Sequence, residues 1–407
     1  MIHRYLQILK NLLNYINLYC NLETRILAMF LYTLIAIYCS ISFFFDIHCL
    51  ATDAIVYSNV GYSGSYMDVV SMDESSCQCS QTSTSFSGTF APFNEELSVH
   101  FRGPITLLQF GVYTPGGGSS YKKREEQDNE QGHEHRKREA SAVLTSTVES
   151  QLPSSSSSSS TGSSSSGTSS SWNQVAYFSP GSCSNVVFMN HKGDWSNCFG
   201  SALTYCASNG VDTASSAQAL DEVQVGSNNE FIIFSSTECS GNDCGCCRSS
   251  SVPYYHGFGG TSKMFVFEFK MPNDSGSSTT ENVDMPAIWL LNAKIPRTVQ
   301  YGSSSCSCWS TGCGEFDIFE VLSSGSSALS NDIHDGQGSD GTCSGGGGSS
   351  ATFDRPTSNS MKAVVIFNEE SGTINIVKVS DDTTFGGSID ASTVSGWLST
   401  SGNSVSL

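Results

Sequence analysis

The chain has 407 residues, only 14% of them charged, and 38 acidic against 19 basic residues leave a formal net charge of −19. A nucleic-acid partner would need a basic stripe that is absent, and an anionic membrane surface would repel so acidic a chain; a neutral polymer such as a polysaccharide stays compatible. The 38% hydrophobic content is enough for at least one large core.

Export is the first signal along the chain. Arg25 precedes an uncharged apolar run from Ala28 to Phe45, which Asp46 ends ahead of the small residues around Ala51. Residues 1–51 therefore read as a signal peptide with a long leading region, or as a signal anchor, since the run is just long enough to span a bilayer. Cleavage would leave no stable membrane partner. No glycolipid anchor is expected, because no apolar tail precedes Leu407.

Residues 52–115 hold strand-like runs (IVYSNV, LSVHFR, ITLLQFGVY) and the close pair Cys77 and Cys79, which suggests a small N-terminal β module. The chain then changes character. Residues 121–140 are almost wholly charged or polar and residues 154–171 are only Ser, Gly and Thr, so 116–171 reads as a disordered linker that cannot bury enough apolar surface to offset its ordering entropy. Within it, Lys123-Arg124 and Lys137-Arg138 are exposed dibasic pairs of the kind a kexin-type processing protease cuts. His133 and His135, in the same tract, read as solvated side chains.

From Trp172 to Leu407 short runs rich in Val, Ile, Phe and Trp alternate with Gly, Ser and Asn, among them EFIIFS, KMFVFEFK, MPAIWLL, GEFDIFEVL, MKAVVIFN and TINIVKV. No run of ten or more residues shows a convincing helical period, so the expectation is an all-β, two-sheet sandwich with few helices. Of 16 cysteines, Cys20, Cys39 and Cys49 lie in or near the leader, and the odd number that follows leaves one thiol free or paired between molecules. Cys239, Cys244, Cys246 and Cys247, or Cys306, Cys308 and Cys313, could be read as thiolate metal sites. An exported chain favours disulfides, and neither set has zinc-ribbon spacing, so no metal and no cofactor is expected; no calcium-loop pattern appears either.

GEFDIFEVL carries the chemistry. It places Glu315, Asp317 and Glu320 in an apolar β-prone run, where burying three acids costs several kcal/mol unless they are partnered or used. Strand alternation puts Glu315 and Asp317 on one face and Glu320 on the other, unless a one-residue bulge at Ile318-Phe319 restores the phase. Along an extended strand the Cα atoms of Glu315 and Glu320 would stand ~13 to 16 Å apart, so curvature and long side chains must bring the carboxyls together. Sugar rings expose apolar faces, which makes Trp289, Trp309, Tyr254 and Tyr255 candidate platforms, each equally a candidate for core; His334 is a candidate polar contact or a structural one. Asn273-Asp274-Ser275 is a glycosylation sequon and marks a solvent-facing turn.

The E-x-D-x-x-E pattern of Glu315, Asp317 and Glu320 resembles the bulged active-site motif of glycoside hydrolase family 16, and Pro286-Ala287-Ile288-Trp289 resembles a strand of that clan. With CSCWSTGCGEFDIFEVL, the later Ile333-His334-Asp335-Gly336-Gln337-Gly338 and the Cys-rich tract before YYHGFGG, the chain is most similar to fungal Tos1-like cell-wall proteins, well over 172–407 and weakly over 52–115. The resemblance implies a concanavalin-like jelly roll, a secreted cell-wall location and a β-glucan substrate, β-1,3-linked. It implies that Glu315 is the nucleophile of a retaining hydrolase or transglycosylase, that Glu320 is the acid and base, and that Asp317 between them keeps their protonation apart. A non-catalytic glucan-binding wall protein could use the same groove, but would have no need of all three acids.

Overall fold

The computed structural model describes residues 51–116, 171–274, 281–338 and 345–407. The leader, the Ser-rich linker with its dibasic pairs, and Ser275 of the sequon lie outside these residues. Asn273, the sequon's first residue, is exposed.

Before the linker run β1 (Ala54–Ser58), β2 (Gly64–Asp73), β3 (Gln78–Phe86), β4 (Leu97–Arg102) and β5 (Thr106–Pro115). After it come β6 (Trp172–Ser179), β7 (Ser182–Ser184), β8 (Val187–Asn190), β9 (Trp195–Ser196), β10 (Gly200–Ser201), β11 (Thr204–Cys206), β12 (Thr213–Ala214), β13 (Glu230–Phe234), β14 (Lys263–Lys270), β15 (Ala287–Asn292) and β16 (Glu315–Glu320). The last are β17 (Ala328–His334), β18 (Gly346–Gly348), β19 (Phe353–Asp354), β20 (Met361–Asn368), β21 (Thr373–Val379), β22 (Ser388–Ile389) and β23 (Asn403–Ser406). Among the described residues the α-helices are the single turn α1 (Lys294–Arg297) and α2 (Ala391–Leu398).

The strands form two large sheets. One orders β22-β6-β5-β14-β20-β21-β1-β23 with β7 beside β6; the other orders β12-β11-β8-β13-β4-β15-β16-β17-β18 with β19 beside β17. Their facing sides share one apolar core, in which Phe101 stacks on Phe231 at 4.8 Å and Phe319 tilts against Phe269 at 5.3 Å. In β14, Phe265 and Phe267 point into this core, while Met264 and Val266 pack outward in a second apolar cluster with Tyr113 and Val364.

The separate N-terminal module does not form. β1 lies between β21 and β23, β5 between β6 and β14, and β4 between β13 and β15; of the five strands ahead of the linker only β2 and β3, paired as a hairpin, stay outside the two sheets, as β9 and β10 do later in the chain. The reason is legible in LSVHFR, whose first five residues are all buried: a strand covered on both faces needs partners that so short a segment cannot supply.

Cysteine pairing follows the same interleaving. Cys77–Cys198 and Cys79–Cys306 fasten the β2–β3 hairpin to segments beyond the linker, and Cys239–Cys244 and Cys308–Cys313 close short loops. Among the described residues Cys183, Cys206, Cys246 and Cys247 are unpaired, so the expected single leftover thiol becomes several.

Candidate active site

β16 runs between β15 and β17, and its register slips where the sequence reading needed it to. Ile288 faces Phe319 and the adjacent Trp289 faces Asp317, so Ile318 is the extra residue of a bulge; on the other side Asp317 faces Asp332 and Glu320 faces Ser330. Phe316, Ile318 and Phe319 are buried in the core, while Glu315, Asp317 and Glu320 line one open groove of about 500 Å³.

Each acid has a different partner. The indole Nε1–H of Trp309 donates to Glu315 Oε2 at 2.6 Å, His334 Nε2 lies 3.3 Å from Asp317 Oδ2, and Arg102 Nη2 donates to Glu320 Oε1 at 3.0 Å. Burial, reinforced by the charge of Asp317, pushes the Glu315 carboxyl up to about 7. Burial and Asp317 raise Glu320 too, with Arg102 acting against them. The hydrogen bond to Asp317 lifts the His334 imidazole to about 9, so it stands as a cation beside the three acids. The charge of Asp317 raises both glutamates, so the carboxyls of this groove do not ionise independently.

The comparisons with known proteins agree on one family. Residues 170–397 match the family described as cell wall protein YJL171C/Tos1, C-terminal, and residues 53–115 match its N-terminal counterpart. A Saccharomyces cerevisiae protein named "Probable circularly permuted 1,3-beta-glucanase TOS1" is 46% identical, over 88% of this chain and 93% of its own length. A Candida albicans protein of the same name is 40% identical over 88% of this chain and 92% of its own, and an Arthroderma benhamiae "Probable circularly permuted 1,3-beta-glucanase" is 32% identical over 81% and 85%. The chain belongs to the Tos1/YJL171C family of cell-wall proteins. No solved structure matches it.

In this family member the candidate platforms separate. Trp289 and Trp309 both line the groove; Trp309 is 39% exposed, whereas Trp289 is 5% exposed, stacks on His100 at 5.1 Å and carries the Arg102 guanidinium 5.9 Å from its ring. His334 sits at the groove but is engaged by Asp317. Tyr254 and Tyr255 do not reach it. Both are buried with Leu203, Ile232 and Phe234, and Tyr255 bonds Tyr205 hydroxyl to hydroxyl at 2.7 Å, so their strand-like segment covers a different part of the same sheet. Their position follows from backbone pairing: Cys239 N–H donates to Tyr254 O, and Ser235 N–H donates to His256 O.

Several groove residues went unseen in the sequence. Arg102 comes from β4, and Tyr301, from the loop after α1, is 63% exposed at the groove wall. Glu230 is held by His100 Nδ1 at 2.8 Å, Gln300 Nε2 at 2.9 Å and Tyr301 OH at 2.6 Å. The available clue was the same kind that marks β16: His100 and Arg102 are polar residues alternating in the buried run LSVHFR.

Proposed function

We propose that the chain is a β-1,3-glucan hydrolase or transglycosylase of the cell wall that works by retaining double displacement. What carries this reading is the Ile318 bulge, which sets Glu315, Asp317 and Glu320 on one face of one strand within a groove sized for sugars. The relatives' names supply the substrate. Their description as circularly permuted fits a sandwich whose sheets accept β1, β4 and β5 from ahead of the linker.

Glu315 attacks the anomeric carbon, and the Trp309 N–H aimed at its oxygen favours the ionised form. Glu320 protonates the departing glycosidic oxygen, then takes a proton from water or from an acceptor sugar hydroxyl. Asp317, neutralised in part by His334, keeps both glutamates from losing their protons together. Single Glu315→Gln and Glu320→Gln variants assayed on a defined β-1,3-glucan test this. Unchanged turnover in both would falsify the catalytic reading and leave a glucan-binding wall protein.

One observation favours exchanged roles. Glu320 is the acid paired with an arginine, and Glu315 is the one lifted to about 7, which is how a nucleophile and an acid would respectively look. Azide separates the readings: rescue of Glu320→Ala with a β-glucosyl azide product supports the assignment above, and the same product from Glu315→Ala reverses it. The dibasic pairs between the two halves we read as kexin-type cleavage sites.

A further inference from the structure

We propose that the glucan-binding surface continues past the carboxylates, across the sheet, to an aromatic shelf made by Tyr301 and Trp195. This rests on the glucanase reading and extends it to the polymer. The strand register supplies the line: Glu320 faces Ala287, Ala287 faces Arg102, and Arg102 faces Glu230. Ile232 faces Met189, which sets His191, two residues beyond, opposite Glu230. The row from β16 to β8 crosses four strand spacings, ~19 Å.

Side-chain contacts follow that row. His191 Nε2 lies 2.8 Å from Gln300 Oε1, and its ring meets the Tyr301 ring edge-on at 5.7 Å. Tyr301 is thus pinned by its hydroxyl to Glu230 and by its edge to His191, leaving most of its ring to solvent. Four residues past His191, Trp195 is 73% exposed.

A single exposed tryptophan is ordinary, but this one is mounted. Its indole N–H donates to Asn197 Oδ1 at 3.2 Å, and the β9–β10 turn that carries it is held from beneath by buried Arg248, which donates to the carbonyls of Phe199, Asp194 and Gly200. Cys198 of the same turn is bonded to Cys77, and Phe199 packs on Val299 and Cys306 of the groove-wall loop. Little ordering entropy is left to lose when a sugar ring stacks on a ring so fixed. A neutral glucan is also the polymer that this acidic chain does not repel.

The test compares Trp195→Ala and Tyr301→Ala with the wild type on laminarin and on a β-1,3-linked trisaccharide, with thermal unfolding as a check on folding. Trp195→Ala should raise KM for laminarin by about five- to ten-fold while leaving trisaccharide turnover within two-fold; Tyr301→Ala, nearer the acids, should weaken both. Unchanged laminarin KM for Trp195→Ala, or an equal loss on both substrates, overturns the shelf while wild-type turnover keeps the glucanase reading intact. If the wild type lacks turnover, migration in laminarin-containing native gels takes its place: wild-type retardation that Trp195→Ala relieves supports the shelf and sinks only catalysis. A wild type neither active nor retarded overturns both.

Discussion

Arg102 Nη2 and Glu320 Oε1 lie 3.0 Å apart, joining a strand from ahead of the linker to the acid-bearing strand β16. Arg102 favours the ionised form of Glu320, so Arg102→Met should raise that pKa further. If Glu320 acts protonated, the alkaline limb of the kcat/KM profile moves to higher pH, and Arg102→Lys restores part of the shift. Movement of the acidic limb instead would make Glu320 the nucleophile. A profile with neither limb displaced would show that the ion pair does not act on catalysis.

Glu315 makes the folded protein less stable as pH rises. Its folded pKa of about 7 stands above the ordinary value of 4.5, so its contribution is fully present below 4.5 and is lost as pH rises through 7. Glu315→Gln removes the penalty of ionising a buried group. Its melting temperature should exceed the wild type's by about 2 to 4 °C at pH 8, and the gap should close towards pH 4.5. An equal difference at both pH values would mean that the carboxyl is not held protonated in the folded state.

β16 was legible because its oddity is local: three acids in nine residues of apolar sequence have few physical explanations, and alternation alone demanded the bulge. Sheet membership was not legible. IVYSNV, LSVHFR and ITLLQFGVY read as strands, but nothing in a strand names its neighbours when pairing is long-range, and a linker between them suggested separate bodies. Tyr254 and Tyr255 misled for a similar reason, since an aromatic pair looks alike whether it faces a sugar or, as here, Leu203 and Phe234. Arg102 could be seen only once β4 was placed beside β15.

The interleaved sheets and two long-range disulfides determine what linker cleavage would do. Cutting at Lys123-Arg124 or Lys137-Arg138 should leave one molecule on a non-reducing gel and two fragments after reduction, because Cys77–Cys198 and Cys79–Cys306 both cross the linker. The cut protein should keep its activity, since β4 and β5 stay paired within the sheets. Separation without reductant would show that neither disulfide spans the two parts.

Cys79–Cys306 should also govern substrate affinity. Cys306 sits in the loop whose residues Tyr301 and Trp309 wall the groove, and Gln81 Nε2 from the same hairpin donates to Ser307 O at 3.4 Å. Replacing both Cys79 and Cys306 with Ser frees that wall without removing any group that handles the proton. KM should rise several-fold with kcat nearly unchanged, and the loss of a cross-link closing so long a loop should lower stability by about 2 to 5 kcal/mol. A fall in kcat with KM preserved would place the loop in the chemical step instead.

Deleting Ile318 gives the sharpest test of the strand argument. With the bulge, Ile318 and Phe319 both enter the core, and Glu320 returns to the groove beside Asp317. Without Ile318 the sequence becomes Glu-Phe-Asp-Phe-Glu in strict alternation, which keeps all three acids on the groove face at the two-residue spacing that Trp289 to Ala287 and Asp332 to Ser330 already set on the neighbouring strands. The deletion empties a core position, so stability should drop by about 2 to 5 kcal/mol, yet turnover should be reduced rather than abolished. Inserting one alanine after Ile318 in the wild type also makes the separation even, so it leaves Glu320 on the groove face but farther along β16 from Asp317, and it should cost more activity than the deletion. If the folded deletion variant is as inactive as Glu320→Gln, face alternation is not what the bulge protects, and the local geometry of the bulge must be what matters.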